Sequence, residues 1–587
     1  VKKRTDQSMR RNAGGGSCVT LCAKWRVALL FGLVFMVVNF LVRYSYAVDV
    51  GSFQQVETSH FLIYADTRSA EIQEIGRTLE EAYTIVAETL PRMAAQVPLP
   101  IEVIYFSQKD DFDTVTLYLV DRSTYRFDMD LPYGFCQLYP DMTRIITTRS
   151  LFGKYLPDLY RDVTRMFLFY SIENRPYWLE EGLPGFMGSI SRDASTIQIG
   201  KLKKDTIEAI RGQGLIPLVR FLKLSKHSSV FKNNDTYLEL FRSQAIFFVN
   251  FLFYADQKRY QAMLFNHLDN LIIGFDKNQA FLDAFAEGTI PLQAALNQHI
   301  LLRTMPYTMI NRGDIVLQDI GQPVVSSRAD IAALLGDEYI RNRNILKAEQ
   351  FYARGIATEE ESLVQQFGMA RILFLQAQQE AFVTKLAVLI EKTKGNYPLQ
   401  RALAFFLAEN NDKQTALKLF VENAPEVSND LTALKQAVSL AIDTKDLEAT
   451  RLFFSHLLAY FPDNEIWSRK YQTLLLENKD FGRAASLALH HLTRSPQNSG
   501  YRDDFLASVR KIDDTDVKAS LLIRGLKLLP ADFELNYEVG TLYELTGNFQ
   551  AALVYFKRCL EQSADNETLR LKIQELKKKL PTENVSE

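Results

Sequence analysis

The rhythm of apolar and polar positions changes three times along the 587 residues. Near the start an unbroken apolar run extends from Val27 to Val42, 16 residues long. Short apolar runs follow at residues 60–64, 101–106 and 144–148, and these predict strands. Residues 70–93 and 156–170 carry apolar positions at helical spacing and predict helices. From residue 329 onward the pattern is helical throughout, and it repeats. Small residues at Ala348, Ala416, Ala449, Ala484 and Ala552 are separated by 68, 33, 35 and 68 residues, close to multiples of 34. The two missing steps fall near 382 and 518, beside Ala381 and Ala519. Four residues after the marks stand Tyr352, Leu386, Phe420, Phe453, Leu522 and Phe556; the unit of Ala484 departs, with Ala488 between Leu487 and Leu489. Twelve residues before them stand Gly336, Ala370, Ala404, Ala437, Gln472, Leu506 and Gly540. Pro496 and Pro530, 34 apart, sit where a unit would end.

A helix pair of this size cannot bury its apolar face alone, so such units stack on one another. This period, with these small and large positions, resembles the tetratricopeptide repeat. The last unit carries the likeness most fully, with Gly540, Tyr543, Gly547, Phe549, Ala552 and Phe556. The resemblance covers residues 329–566, about seven units, and implies an all-α solenoid whose concave surface takes a protein or peptide partner. Residues 567–587 read as a capping helix and tail, with Lys577, Lys578 and Lys579 facing water. His490 and His491 are sequence neighbours that diverge on a helix, so they read as surface or packing histidines rather than a metal pair.

Residues 48–304 lack the period. Their strand and helix signals lead into Pro176-Tyr177-Trp178-Leu179-Glu180-Glu181-Gly182-Leu183-Pro184-Gly185-Phe186-Met187, and later into a helical run at 241–252. That order resembles the gluzincin-type, MA-clan peptidase-like domains of bacterial envelope proteins. In that family a helix bears His-Glu-x-x-His, and a Trp-Leu-x-Glu-Gly motif supplies the third zinc ligand. Here the helix reads Arg161-Asp162-Val163-Thr164-Arg165, and only Glu181 keeps a ligand position. Zinc takes imidazole, thiolate or carboxylate donors, whereas a guanidinium has no acceptor lone pair. The resemblance therefore implies a degenerate metallopeptidase-like domain with no catalytic residue, no metal and no cofactor, a pseudoenzyme. Arg161 and Arg165 share a helix face, so one of them is expected to pair with Glu181 in place of the metal. Trp178, Tyr177 and Phe186 read as core. Two alternatives stay open: a hydrolase drawing ligands from elsewhere, such as His60 or His227, and a peptide or glycan binder using the former cleft. Residues 305–328, with Pro306 and Pro323, read as a linker.

Composition sharpens this picture. Gly (27) and Pro (18) are scarce, so helices should dominate. With 68 Lys and Arg against 70 Asp and Glu, the chain lacks the basic footprint of a nucleic-acid binder. Four cysteines exclude a disulfide scaffold, and Cys136 and Cys559 read as buried small residues. Before the apolar run lie Lys2, Lys3, Arg4, Arg10, Arg11, Lys24 and Arg26 with one acid, Asp6; after it, Ser45-Tyr46-Ala47 places small residues at a cleavage position. Residues 1–47 read as a signal peptide or as an N-terminal membrane anchor. Either way the rest of the chain is exported, periplasmic or otherwise extracytoplasmic, and meets the membrane only through this segment. The whole reads as an α+β peptidase-like domain followed by an α-solenoid, a non-catalytic interaction or assembly module.

Overall fold

In the computed structural model, the described residues are 48–94, 97, 100–120, 134–139, 141–232, 234–317, 320–358, 362–460 and 465–580. The expected signal peptide or membrane anchor, residues 1–47, and the tail beyond Leu580 lie outside them. Among the described residues, no helix is long and apolar enough to cross a membrane.

The first half is built on a six-stranded sheet. Its elements run β1 (Gln54–Glu57), β2 (Phe61–Ala65), α1 (Ser69–Thr89), β3 (Ile101–Phe106), α2 (Lys109–Val120), β4 (Gly134–Leu138), β5 (Thr143–Thr148) and α3 (Arg149–Ser171). The strand order is β4-β5-β3-β2-β1, with a sixth strand, β9 (Val324–Val325), on the outer side of β1. The central strands β2, β3 and β5 are parallel, with Phe61 opposite Ile101 and Val103 opposite Ile145. Alternate side chains of a strand point to opposite faces. Accordingly Val103 and Tyr105 join α1 and α3 in one core, while Ile104, Phe106 and Ile146 join a second. Strands covered on both faces read as apolar runs, which is why β2 and β3 are visible in the sequence; β5 shows only Ile145 and Ile146, flanked by threonines.

Beyond α3 come α4 (Tyr177–Met187), the small antiparallel strands β6 (Ser191–Arg192) and β7 (Thr196–Ile199), and α5 (Lys204–Gln213). The buried α6 (Asp235–Tyr254), then α7 (Arg259–Ile272) and α8 (Thr289–His299), complete this part.

The segment 305–328 is not a free linker. Its β8 (Thr308–Asn311) pairs with β7, setting Ile310 opposite Ile197. Its β9 (Val324–Val325) pairs with β1, setting Val325 opposite Gln54. The connection is thus stitched into both sheets. Nor does the core divide at this boundary, because the second face of the main sheet is covered by Ile331, Leu335 and Tyr339 of the array.

The array is seven antiparallel helix pairs. The first helices begin at 328, 363, 397, 431, 465, 499 and 533, and a capping helix, Glu567–Lys579, begins where an eighth would. Between the helices of a pair, a left-handed residue recurs with the 34-residue period: Arg343, Ala377, Asn411, Lys445, Lys479 and Gly547. The small-to-aromatic pattern has a direct cause. A β-carbon added to Gly336 would lie 2.9 Å from the Tyr352 ring, and one added to Gly540 would lie 2.9 Å from the Phe556 ring. Ala348, Ala416, Ala449, Ala484 and Ala552 are all buried. The two interpolated marks are corrected: Ala381 is exposed and the neighbouring Phe382 faces the core, and Ala519 is only half-buried.

Candidate functional site

Helix α3 carries Arg161, Asp162 and Arg165, and α4 carries Glu181. The expected link from an arginine to Glu181 does not form. Arg161 Nη1 lies 2.7 Å from Asp158, and Arg165 Nη1 lies 3.4 Å from Asp162. Carboxylates three residues away on the same helix are held within reach by the helix itself, so they capture both guanidiniums. Glu181 pairs instead with Arg242 of α6, at 3.3 Å. The side chain of Arg161 runs over Gly188, just past the end of α4.

Asp162 faces the sheet edge. Its Oδ2 accepts a hydrogen bond from the Tyr155 hydroxyl at 2.8 Å. Burial pushes its carboxyl up to about 6, against the opposing pull of Arg165 and of the Tyr155 hydrogen bond. Cys136 of β4 is close enough for the Asp162 charge to raise its thiol further, on top of burial. Cys136 is half-buried rather than fully buried, whereas Cys559 is buried, and a thiol raised in this way is a poor nucleophile. His60, an alternative ligand in the sequence, is occupied: its Nδ1 lies 2.7 Å from Glu80, and its ring stacks on Tyr83. Among the described residues, no three His, Cys, Asp or Glu side chains converge to hold a metal ion.

The Trp-Leu-Glu-Glu-Gly motif has a packing explanation. Trp178 and Phe186 are buried, as expected of core residues, and Tyr177 stacks on Phe241 at 4.9 Å. A β-carbon at Gly182 would meet the Ala245 carbonyl oxygen at 2.5 Å, and one at Gly185 would meet Ile246 at 2.4 Å. The glycines let α4 and α6 approach backbone to backbone. Glu180 is engaged by Arg175 at 3.0 Å.

The array offers a second candidate surface. One position of the first helix recurs as Ala333, Phe367, Arg401, Lys435, Arg469, Asp503, Tyr537 and Leu571, each 34 residues from the next. The first two are buried, Arg401 and Lys435 are half-buried, and the last four are exposed. The change has a cause in the fold: the chain's own α+β part packs on the first, third and fourth rungs, and Phe367 of the second is covered by Phe406 and Arg371. Arg401 donates to the Asp141 carbonyl at 2.9 Å, and Lys435 to the Tyr170 carbonyl at 3.1 Å. Burial lowers the Lys435 ammonium to about 8. At unit 1 the contact is ionic. Arg144 of β5 reaches Glu102 at 2.6 Å, Glu338 at 2.9 Å and Asp337 at 3.3 Å. Arg341 binds Asp141 at 2.8 Å and Asp337 at 3.0 Å, and Arg371 also binds Asp337. These docking residues were not anticipated from the sequence: the 34-residue spacing joins Arg401, Lys435 and Arg469 alike, although only the first two are covered.

No protein-family model matches the chain, and no curated protein sequence matches it. Solved structures with partial likeness include PilF of Pseudomonas aeruginosa, at 14% identity over 35% of this chain and 94% of that one, with a TM-score of 0.23. A tetratricopeptide repeat protein of Parabacteroides merdae shares 12% identity over 42% of this chain and 98% of its own, with a TM-score of 0.22. The TPR2AB domain–pHSP90 complex of yeast Sti1 shares 12% identity over 43% of this chain and 97% of its own, with a TM-score of 0.21. It is the hairpins themselves, with their 34-residue period, that make the second half a tetratricopeptide-type array.

Proposed function

We propose that the protein is a non-catalytic interaction scaffold, exported to the cell envelope, in which a peptidase-like domain without its metal ligands braces a repeat array that binds a protein or peptide partner. The observation that carries this reading is the change along the repeated position: covered by the chain itself through Lys435, exposed from Arg469 to Leu571. A solenoid face left open in this way is the usual docking surface of such arrays. To test it, full-length protein and a variant with Arg469→Glu and Tyr537→Ala are used to capture partners from an envelope extract. The wild type should retain a species that the variant loses. Equal capture by both removes this face from consideration.

The peptidase-like lineage is supported by the order of strands and helices and by Arg161, Asp162, Arg165 and Glu181 at the positions of the zinc motif. Restoring Arg161→His, Asp162→Glu and Arg165→His together rebuilds the ligand set with Glu181, and the folded variant should acquire zinc affinity by calorimetry. A folded variant that binds no zinc shows that the positional match is wrong. Export is supported by the basic start, the apolar run and Ser45-Tyr46-Ala47. A reporter fused after Gly51 should be delivered outside the cytoplasm, and retention in the cytoplasm overturns that part.

A further inference from the structure

Acidic residues make up 70 of the 587 positions, about one in eight. Among the segments of the first half that contain none are residues 209–234 and residues 288–313. The fold packs them against each other. The backbone N–H of Leu218 donates to Gln293 Oε1 at 2.7 Å, and Arg211 Nη2 donates to the Leu302 carbonyl at 2.7 Å. Between them runs a shallow groove of about 850 Å³, lined by Ile210, Leu215, Ile300 and Leu301 with Arg211 and Arg303. Aliphatic side chains stand out of this surface rather than into it: Ile290 is 81% exposed, Leu301 76% and Val219 55%. Arg220 and Lys223 are exposed beside Val219.

This combination selects an occupant. Arg211, Arg220, Lys223 and Arg303 are exposed on two segments that carry no acid of their own, and this excess of cations complements an anionic partner. The projecting aliphatic groups ask that the partner also have an apolar interior. The cations are long-stemmed surface groups, which extend along apolar surface while keeping their charge in water. They are not a buried donor set aimed at one small molecule. Apolar tips inside a cationic rim match an anionic bilayer, where the tips enter the acyl boundary and the rim meets the headgroups. We propose that this α5–α8 surface is a peripheral contact for an anionic lipid membrane, separate from any N-terminal membrane segment and from the array face.

The test uses the full chain with a genetically encoded environment-sensitive fluorophore in place of Leu301, and in a second preparation in place of Leu346, an exposed array residue. Each is mixed with vesicles of phosphatidylcholine alone or of phosphatidylcholine with phosphatidylglycerol. Because the probe reports its own surroundings, insertion of the amino-terminal segment does not mimic the result. The position-301 probe should shift to the blue with anionic vesicles only, and the shift should weaken as salt rises. The position-346 probe should not respond. Each cation near such a surface contributes about fivefold in binding, so Arg303→Gln with Lys223→Gln should weaken the response roughly 25-fold. No shift at 301 with anionic vesicles overturns the proposal. So does an equal shift with both vesicle types, or a shift produced by an acidic polypeptide and not by vesicles, which would reassign the surface to a protein partner.

Discussion

Replacing Arg144 by Met is the most direct probe of how the two halves hold together. The guanidinium is buried, with its side chain only 3% exposed, and it meets three carboxylates, Glu102, Asp337 and Glu338. Met keeps most of the stem and removes the charge. Glu338 is fully buried and would keep only the amide donors of Gln137 and Asn342. Removing one partner of a buried ion pair leaves the other charge uncompensated, a loss of about 3–5 kcal/mol. The value follows from urea unfolding followed through the buried Trp178. Two controls separate charge from volume. Adding Glu338→Gln to Arg144→Met should recover part of the loss, since residues in one network couple. The second control is pH. Burial raises the Asp337 carboxyl, but the guanidiniums of Arg341, Arg371 and Arg144 outweigh it and hold it well below the ordinary range. A carboxylate depressed in the folded state stabilises above its unfolded value of about 4, and that stability is lost as pH falls below it. The wild type should therefore weaken in acid more than Arg144→Met does, and the gap between them should narrow. A cost below about 1 kcal/mol at neutral pH, well under the range for a broken buried pair, or an unchanged gap in acid, would refute the ionic account of this contact.

Three further outcomes are expected. Ala377 sits in the left-handed region at φ 59° and Gly547 at φ 78°, so Ala377→Gly should stabilise by roughly 0.5–1 kcal/mol and Gly547→Ala should destabilise by about 1 kcal/mol in urea titrations. His267 is buried between Trp178 and Phe281, and burial lowers its imidazole to about 4. A histidine depressed on folding costs stability as pH falls from its unfolded value toward the folded one, so His267→Phe should remove up to roughly 3 kcal/mol of acid sensitivity between about pH 6.5 and pH 4, read from melting profiles. Ala552 has no exposed surface, and Ala552→Trp should cost about 1–3 kcal/mol by overpacking the last unit, measured as a lowered urea midpoint.

The elements that can be read from the sequence are those whose burial leaves a pattern. Strands β2, β3 and β5 are covered on both faces, and they appear within a residue or so of where they are expected. β1, β4 and β9 are short or polar and exist because a neighbour pairs with them, so no local pattern marks them. The array is legible through its phase, and its caps repeat the phase more cleanly than its alanines. Asp412, Asp446, Asp480, Asp514 and Asn548 each accept a backbone N–H at the start of a second helix. Asn396, Asp430, Asn498, Asp532 and Asn566 do the same for first helices or the cap. At residues 161–165 and 181, the residue types were legible but their partners were not. Asp158 lies outside the aligned five residues, and Arg242 arrives from 61 positions beyond Glu181. The docking cations of the array look in sequence like any solvated helix face. Only the fold decides which of them are covered.

The pairing of Val324–Val325 with Gln54–Gln55 also sets an order of events during synthesis. Strands β1 and β2 emerge early and can join at once, but one edge of the sheet stays open until some 270 further residues have been made. Its second face waits longer still, for Ile331, Leu335 and Tyr339. At the usual pace of translation that interval is tens of seconds, during which an unpaired strand edge and a bare apolar face are both exposed. Closing contacts so distant in sequence is slow in itself. The nascent amino-terminal half therefore has to be kept apart from other chains until the first repeat arrives to cover it.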